Sequence, residues 1–197
     1  VSMPGMMDTV LNLGLTDTTV RAFAAACGKE QFVYDSYRRF IAMYSNVVGQ
    51  CDMHPYEEEL WGTKKRLGVN SDAEIPVHEL KRICEVYKGM YQKQIGKAFP
   101  MDPEEQLWES INAVFRSWNN ARAIKYRAMY SIKGLKGTAV NIQAMVYGNY
   151  DNNSATGVCF SRNPSNGDPR FYGEWLKNAQ GEDVVAGIRT PQQITNE

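Results

Sequence analysis

At 197 residues the chain is long enough to bury a substantial core, as one large domain or two small ones. Its 22 basic and 22 acidic residues cancel, so no broad electrostatic footprint points to nucleic acid or an anionic membrane. No apolar run approaches the roughly 20 residues of a membrane helix, and no signal peptide opens the sequence.

The first two thirds read as helices. Asp17 is expected to cap a short helix presenting Val20, Phe23 and Ala24, closed by Gly28. Val33, Tyr37, Phe40, Ile41, Tyr44, Val47 and Val48 follow a helical stripe. Leu60 with Leu67, then Leu80, Ile83, Cys84, Tyr87, Tyr91 and Ile95, repeat it. Asp102-Pro103-Glu104-Glu105 is a strong start signal: a capping carboxylate, proline at the first helical position, and acids in the positive first turn. Leu107, Ile111, Val114, Phe115 and Trp118 are expected to form that helix's buried face, and another helix to cover about Ala121 to Tyr130.

The texture changes at Gly134 to Gly137. Val140, Ile142, Ala144 and Val146 alternate with their neighbours across Thr138 to Tyr147, the period of a strand. Gly148 to Asn153 reads as a turn, Thr156 to Arg162 as a second strand, Pro164 to Pro169 as a turn, and Phe171 to Leu176 as a third strand. The expected fold class is α+β, with an entry segment over 1–15, a helical subdomain over 16–135 and a β-rich lobe with an antiparallel sheet over 136–197.

Several polar and small-residue clusters carry both a plain and a functional reading. Ser154-Ala155-Thr156-Gly157 is an ordinary hairpin turn on spacing alone, or a loop whose backbone N–H groups and Thr156 hydroxyl close over phosphate. Met3-Pro4-Gly5-Met6-Met7 joins a tight turn to soft thioethers that fill either a core or a binding wall. Glu182 and Asp183 form a solvated acidic turn, or oxygen ligands for Mg²⁺. Of Arg38 and Arg39, one is expected to face solvent. His54 and His78 lack partners at ligand spacing, so no zinc site follows. Trp61, Trp108, Trp118 and Trp175 read as core anchors. Gly-x-x-x-x-Gly-Lys-Ser/Thr is absent, which removes a P-loop from this segment. Cys27, Cys51, Cys84 and Cys159 never form Cys-x-x-Cys and read as buried thiols of a reduced intracellular protein.

Five stretches together resemble the nucleotide-binding part of the pyruvate, phosphate dikinase family: Ser2 to Thr9, Tyr34 to Phe40, Val114 to Trp118, Ser154 to Val158 and Gly173 to Pro191. The resemblance implies a partial ATP-grasp fold that grips MgATP and passes its phosphoryl groups to a histidine on a swivelling domain of the same polypeptide. It assigns ATP binding to Gly5, Met6, Met7, Gln143, Met145, Thr156, Gly157, Glu182 and Asp183. It assigns docking of the histidine domain to Arg122, Ser165 and Glu174, and gives this segment no catalytic residue of its own. The family's lysine, arginine and acidic ATP ligands are expected outside Val1 to Glu197, which reads as a segment excised from a longer, homodimeric parent. Cytosol, plastid and microbody are the compartments implied, with no nucleic-acid or membrane partner. A phosphoenolpyruvate synthase-like ATP-binding domain and a non-catalytic helical docking module are the alternatives.

Overall fold

The computed structural model of the chain describes residues 1–185, 187 and 189–194. Ala186 and Ile188 of the 173–191 stretch, and Thr195 to Glu197, lie outside the described residues. The chain divides into two compact units, residues 1–143 and 144–197.

The first unit is helical: α1 Thr19–Cys27, α2 Glu30–Val47, α3 His54–Leu67, a 3₁₀ turn at Asp72–Glu74, α4 Val77–Ile95, α5 Pro103–Ser117 and α6 Ala121–Met129. Central α2 buries Val33, Tyr37, Phe40, Ile41 and Tyr44, as its stripe predicts, while Val47 and Val48 are half-buried. Leu80, Ile83, Cys84, Tyr87 and Tyr91 of α4 close the opposite side. Edge-to-face ring contacts of Phe99 with Phe40, Tyr44 and Tyr91, at 5.2 to 5.9 Å between centroids, seal the centre. In α3 the buried positions are Tyr56 and Thr63, with Leu60 and Leu67 half-buried.

Three helical expectations are corrected. Gly28 does close α1 in a left-handed conformation, but Thr18 occupies the N-cap and Asp17 does not cap. The Asp17 carboxylate instead accepts from the Tyr37 hydroxyl at 2.9 Å and Lys88 Nζ at 2.8 Å, tying the entry of α1 to α2 and α4. Asp102 caps α5 as predicted, accepting from the Glu104 N–H at 3.0 Å. The buried face of α5, however, is Gln106, Ser110, Ala113 and Ser117 rather than Leu107, Ile111, Val114, Phe115 and Trp118. That face meets the chain's polar entry segment, and the Gln106 amide satisfies it: Oε1 accepts from the Gly14 N–H at 3.1 Å, while Nε2 donates to the Leu15 and Pro100 carbonyls. Trp108 and Phe115 are left 58% and 48% exposed, and Trp61 is exposed as well, so these tryptophans are not core anchors. Trp118 is half-buried beneath Arg127, whose guanidinium lies 3.9 Å from the ring centroid.

Charge is also buried here. Arg38 and Arg39 both turn to Asp35, and Arg38 reaches Asp72 at 3.0 Å, so neither arginine is merely solvated. Burial raises a carboxyl's pKa, but the two guanidiniums outweigh it and hold Asp35 below the ordinary carboxylate range. Hydrogen bonds from Arg66, then Arg82, bring Glu79 of α4 down to about 2. All four cysteines are free thiols: Cys51 and Cys84 are buried as expected, Cys27 is half-buried, and Cys159 is exposed.

The second unit carries β1 Ala155–Phe160, β2 Tyr172–Lys177, a short helix α7 Gly181–Val185 and β3 Gln192–Gln193. The strands form one antiparallel sheet in the order β1-β2-β3 over a small core of Leu176, Ala179 and Val184. The alternation over 138–147 does not become a strand. Strand hydrogen bonds need a neighbouring ladder, and none of the described strands pairs with this segment.

Two stability outcomes follow. Removing Asp35 leaves Arg38 buried with one partner fewer, so Asp35→Ala is expected to cost about 3–5 kcal/mol in urea unfolding; a loss below about 1 kcal/mol contradicts the pair's role. Both depressed carboxylates stabilise fully above their unfolded value of about 4, and that stabilisation fades as pH falls through the lower folded value. Glu79→Gln should therefore flatten stability loss between about pH 4.5 and 2, read as melting temperature against pH, relative to the parent.

Candidate functional site

The candidate residues fall in two groups, one in each unit. In the first unit, Met3 to Met7 form a turn without regular structure, with the Met6 N–H on the Met3 carbonyl at 3.1 Å and Gly5 at positive φ. Met6 and Met7 are half-buried and Gly5 is exposed. The turn is fastened to the junction of α5 and α6 by the residue after it. The Asp8 N–H donates to Ser117 Oγ at 3.1 Å. Asn120 Nδ2 donates to one Asp8 carboxylate oxygen at 3.1 Å, and a terminal nitrogen of Arg122 donates to the other. Arg122 Nε adds a bond to the Met6 carbonyl at 3.2 Å. The sequence gives Asp8, Ser117 and Asn120 no role of their own, although Asp8 and Ser117 fall in stretches that carry the resemblance.

Arg122 thus lies on the second residue of α6, held by the entry turn, with its side chain half exposed. Gln143, the last residue of the first unit, is exposed.

In the second unit Met145 is half-buried in the segment expected to be a strand. Ala155, Thr156 and Gly157 are not a loop between strands: they pair with Lys177, Leu176 and Trp175 inside β1–β2. The connecting loop lies instead at 161–171, where the Asn163 side chain accepts from the Ser165 N–H at 2.8 Å and leaves Ser165 exposed. Gly157 serves close approach, because a Cβ there would sit 2.6 Å from the Glu174 carbonyl oxygen. Among the described residues β1 pairs only with β2, so alternate N–H and C=O groups along it point away from β2. Glu174 sits mid-β2, between Val158 on one side and Gln193 on the other, and is half-buried.

Glu182 and Asp183 lie in α7 rather than in an open turn. The Asp183 carboxylate is buried and accepts from the Gln180 N–H at 2.8 Å, the contact of a residue that closes its own helix start. Glu182 is half-buried beside it. Among the described residues no three His, Cys, Asp or Glu side chains converge as a metal cage. His54 and His78 are exposed, His54 against Glu58 at 3.2 Å. Also among the described residues, no helix is long and apolar enough to cross a membrane.

Comparison with known proteins gives these two groups a context. Residues 1–197 match the family described as pyruvate phosphate dikinase, AMP/ATP-binding domain. The chain is 57% identical over 194 residues to the chloroplastic pyruvate, phosphate dikinase of Mesembryanthemum crystallinum, covering 98% of this chain and 20% of that protein. It is 56% identical over 194 residues to the enzyme of Rhizobium meliloti (strain 1021), covering 98% and 22%. With the enzyme of Clostridium symbiosum the figures are 53% over 195 residues, 98% and 22%. The chain spans about a fifth of the length of these relatives. With helices, a small antiparallel sheet and a match from the first residue to the last, the chain belongs to the pyruvate, phosphate dikinase family, as an α+β segment of its ATP-grasp AMP/ATP-binding domain.

Proposed function

We propose that this segment works as part of a pyruvate, phosphate dikinase, in its nucleotide-binding domain. There it binds ATP with Mg²⁺ so that phosphoryl groups pass to a histidine on a swivelling domain of the same polypeptide. The overall exchange is ATP, phosphate and pyruvate against AMP, pyrophosphate and phosphoenolpyruvate, in a homodimeric, intracellular enzyme. The observation that carries this reading is identity of 53–57% over 98% of the chain to dikinases from a plant and two bacteria. In this reading 1–15 is the nucleotide-facing entry, 16–135 the helical subdomain and 136–197 the β-rich lobe.

Each group of residues takes a part that its chemistry suits. In the first unit the Gly5-Met6-Met7 turn offers apolar, polarizable surface and Gln143 a polar amide of the kind a base needs; in the second unit Met145 offers a thioether of the same kind. The outward N–H groups of β1 and the Thr156 hydroxyl are donors for phosphate oxygens. Glu182 and Asp183 line the same lobe. Among the described residues no three acidic side chains converge as a cage for Mg²⁺, so in this reading the ion arrives with the nucleotide's phosphates. Arg122, Ser165 and Glu174 meet the histidine domain. The isolated segment is accordingly inactive as a dikinase.

The test uses the full-length parent and separates its two half-reactions. Thr156→Val keeps shape and strand preference while removing one donor to a charged group, which costs on the order of 1.5–3 kcal/mol, or about 10- to 150-fold. Phosphoenzyme formation from ATP should slow by about that factor, with transfer between phosphoenzyme and pyruvate unchanged. Glu174→Arg with Ser165→Asp should slow the ATP-side transfer at unchanged ATP affinity. ATP-side rates equal to the parent in both variants would falsify these assignments.

A further inference from the structure

We infer that Asp8 and Arg122 are positioning residues for the nucleotide: together they form a clasp that fixes the Met6–Met7 turn against the α5–α6 junction. The inference rests on the reading of that turn as nucleotide-facing.

The turn is closed by a single backbone bond, from the Met6 N–H to the Met3 carbonyl, so its placement depends on ties from elsewhere. The ties converge on Asp8, whose side chain is only 18% exposed. Each carboxylate oxygen has its own donor, one from Asn120 and one from Arg122, and the backbone N–H goes to Ser117 Oγ. Ser117 in turn donates to the Val114 carbonyl at 2.6 Å, which anchors the receiving hydroxyl in the last turn of α5. Met7 Sδ lies 3.7 Å from the same hydroxyl. Arg122 links the carboxylate to the Met6 carbonyl, so one guanidinium reads both the acid and the turn before it.

This much bonding is not required merely to attach the chain. Residues after Asp8 have separate anchors: the Leu11 N–H lies 3.1 Å from Met43 Sδ, and Gln106 holds Gly14 and Leu15. What the Asp8–Arg122 pair adds is control of the residues before Asp8, namely the Met6 carbonyl and the two thioethers. A binding wall of flexible methionines gains most from such a constraint, because an unrestrained turn must lose its freedom on binding. The contacts engage Nε and one terminal nitrogen of Arg122. The planar fork carries a second terminal nitrogen, so the clasp and a docking contact are compatible on one side chain.

The experiment measures ATP affinity by calorimetry and KM for ATP against kcat in the full-length enzyme, for Asp8→Asn, Arg122→Gln, the double variant and Arg122→Lys. Both single variants are expected to weaken ATP binding about three- to tenfold, with the pyruvate-side transfer at its parental rate. The double variant should add little to either single, as a shared interaction requires. Arg122→Lys should recover part of the loss, since an ammonium meets Asp8 but lacks the fork that also reaches Met6. Parental ATP affinity in Asp8→Asn overturns the clasp, as does strict additivity in the double variant. If Arg122→Gln alone slows transfer at unchanged ATP affinity, the arginine serves docking only and the clasp is again overturned. Should Asp8→Asn lower the melting temperature sharply, the milder Asn120→Ala decides, with parental ATP affinity counting against the inference. Met7→Ala separates the two levels. ATP binding unaffected by Met7→Ala removes the nucleotide-facing reading itself, whereas weakened binding there with none in Asp8→Asn removes only the clasp.

Discussion

One buried amide organises the helical unit. Gln106 is fully inaccessible, yet its side chain bridges the backbone at Gly14, Leu15 and Pro100. An irregular segment laid against a helix brings unpaired N–H and C=O groups into a region where they cannot reach water. Gln106 supplies one acceptor and two donors at the point where they are needed, and so the chain's entry can run along α5 rather than over the surface. The polar inner face of α5, the outward tryptophan and phenylalanine, and the delivery of Met3 to Asp8 to the α5–α6 junction all follow from that arrangement.

A second layer of specification is ionic. Asp35, Arg38, Arg39 and Asp72 join α2 to the 3₁₀ turn, while Glu79, Arg66, Arg82 and Glu59 join α3 to α4. Pairs of this kind contribute modest net stability when intact and are costly to break singly, so their clearest effect is on register. They fix how α3 and the 3₁₀ turn sit on the apolar α2–α4 centre, whose rings alone would tolerate sliding.

Legibility varied with the source of each element's partner. The α2 and α4 stripes were readable because both helices bury large apolar side chains against each other, and periodicity reports that directly. For α5 the period and the Asp102 cap were right and the face was wrong. Hydropathy takes Leu107, Ile111 and Phe115 as the inside, but the neighbour of α5 is polar backbone, which selects Gln106, Ser110 and Ser117. Residues 138–147 show the converse: alternation marks a segment able to pair, and says nothing about whether a ladder is present. The 154–157 stretch looked like a turn because glycine signals both freedom and close approach, and at Gly157 cross-strand approach to Glu174 was the reason. At the candidate site the methionine turn was legible as a motif, while its fastening was not. Asp8 and Arg122 are 114 residues apart, and no local pattern links them.

The order β1-β2-β3 has a consequence for how such a polypeptide behaves during synthesis and storage. Among the described residues β1 lies at the margin of the sheet, with Val158 and Phe160 each more than two fifths exposed. A short apolar strand with an unpaired row of amides is a template for any other extended chain, including its own copies. Covering that margin is therefore a solubility requirement as much as a folding one. Until it is met, nascent or truncated forms should be drawn into intermolecular strand addition and to the chaperones that suppress it.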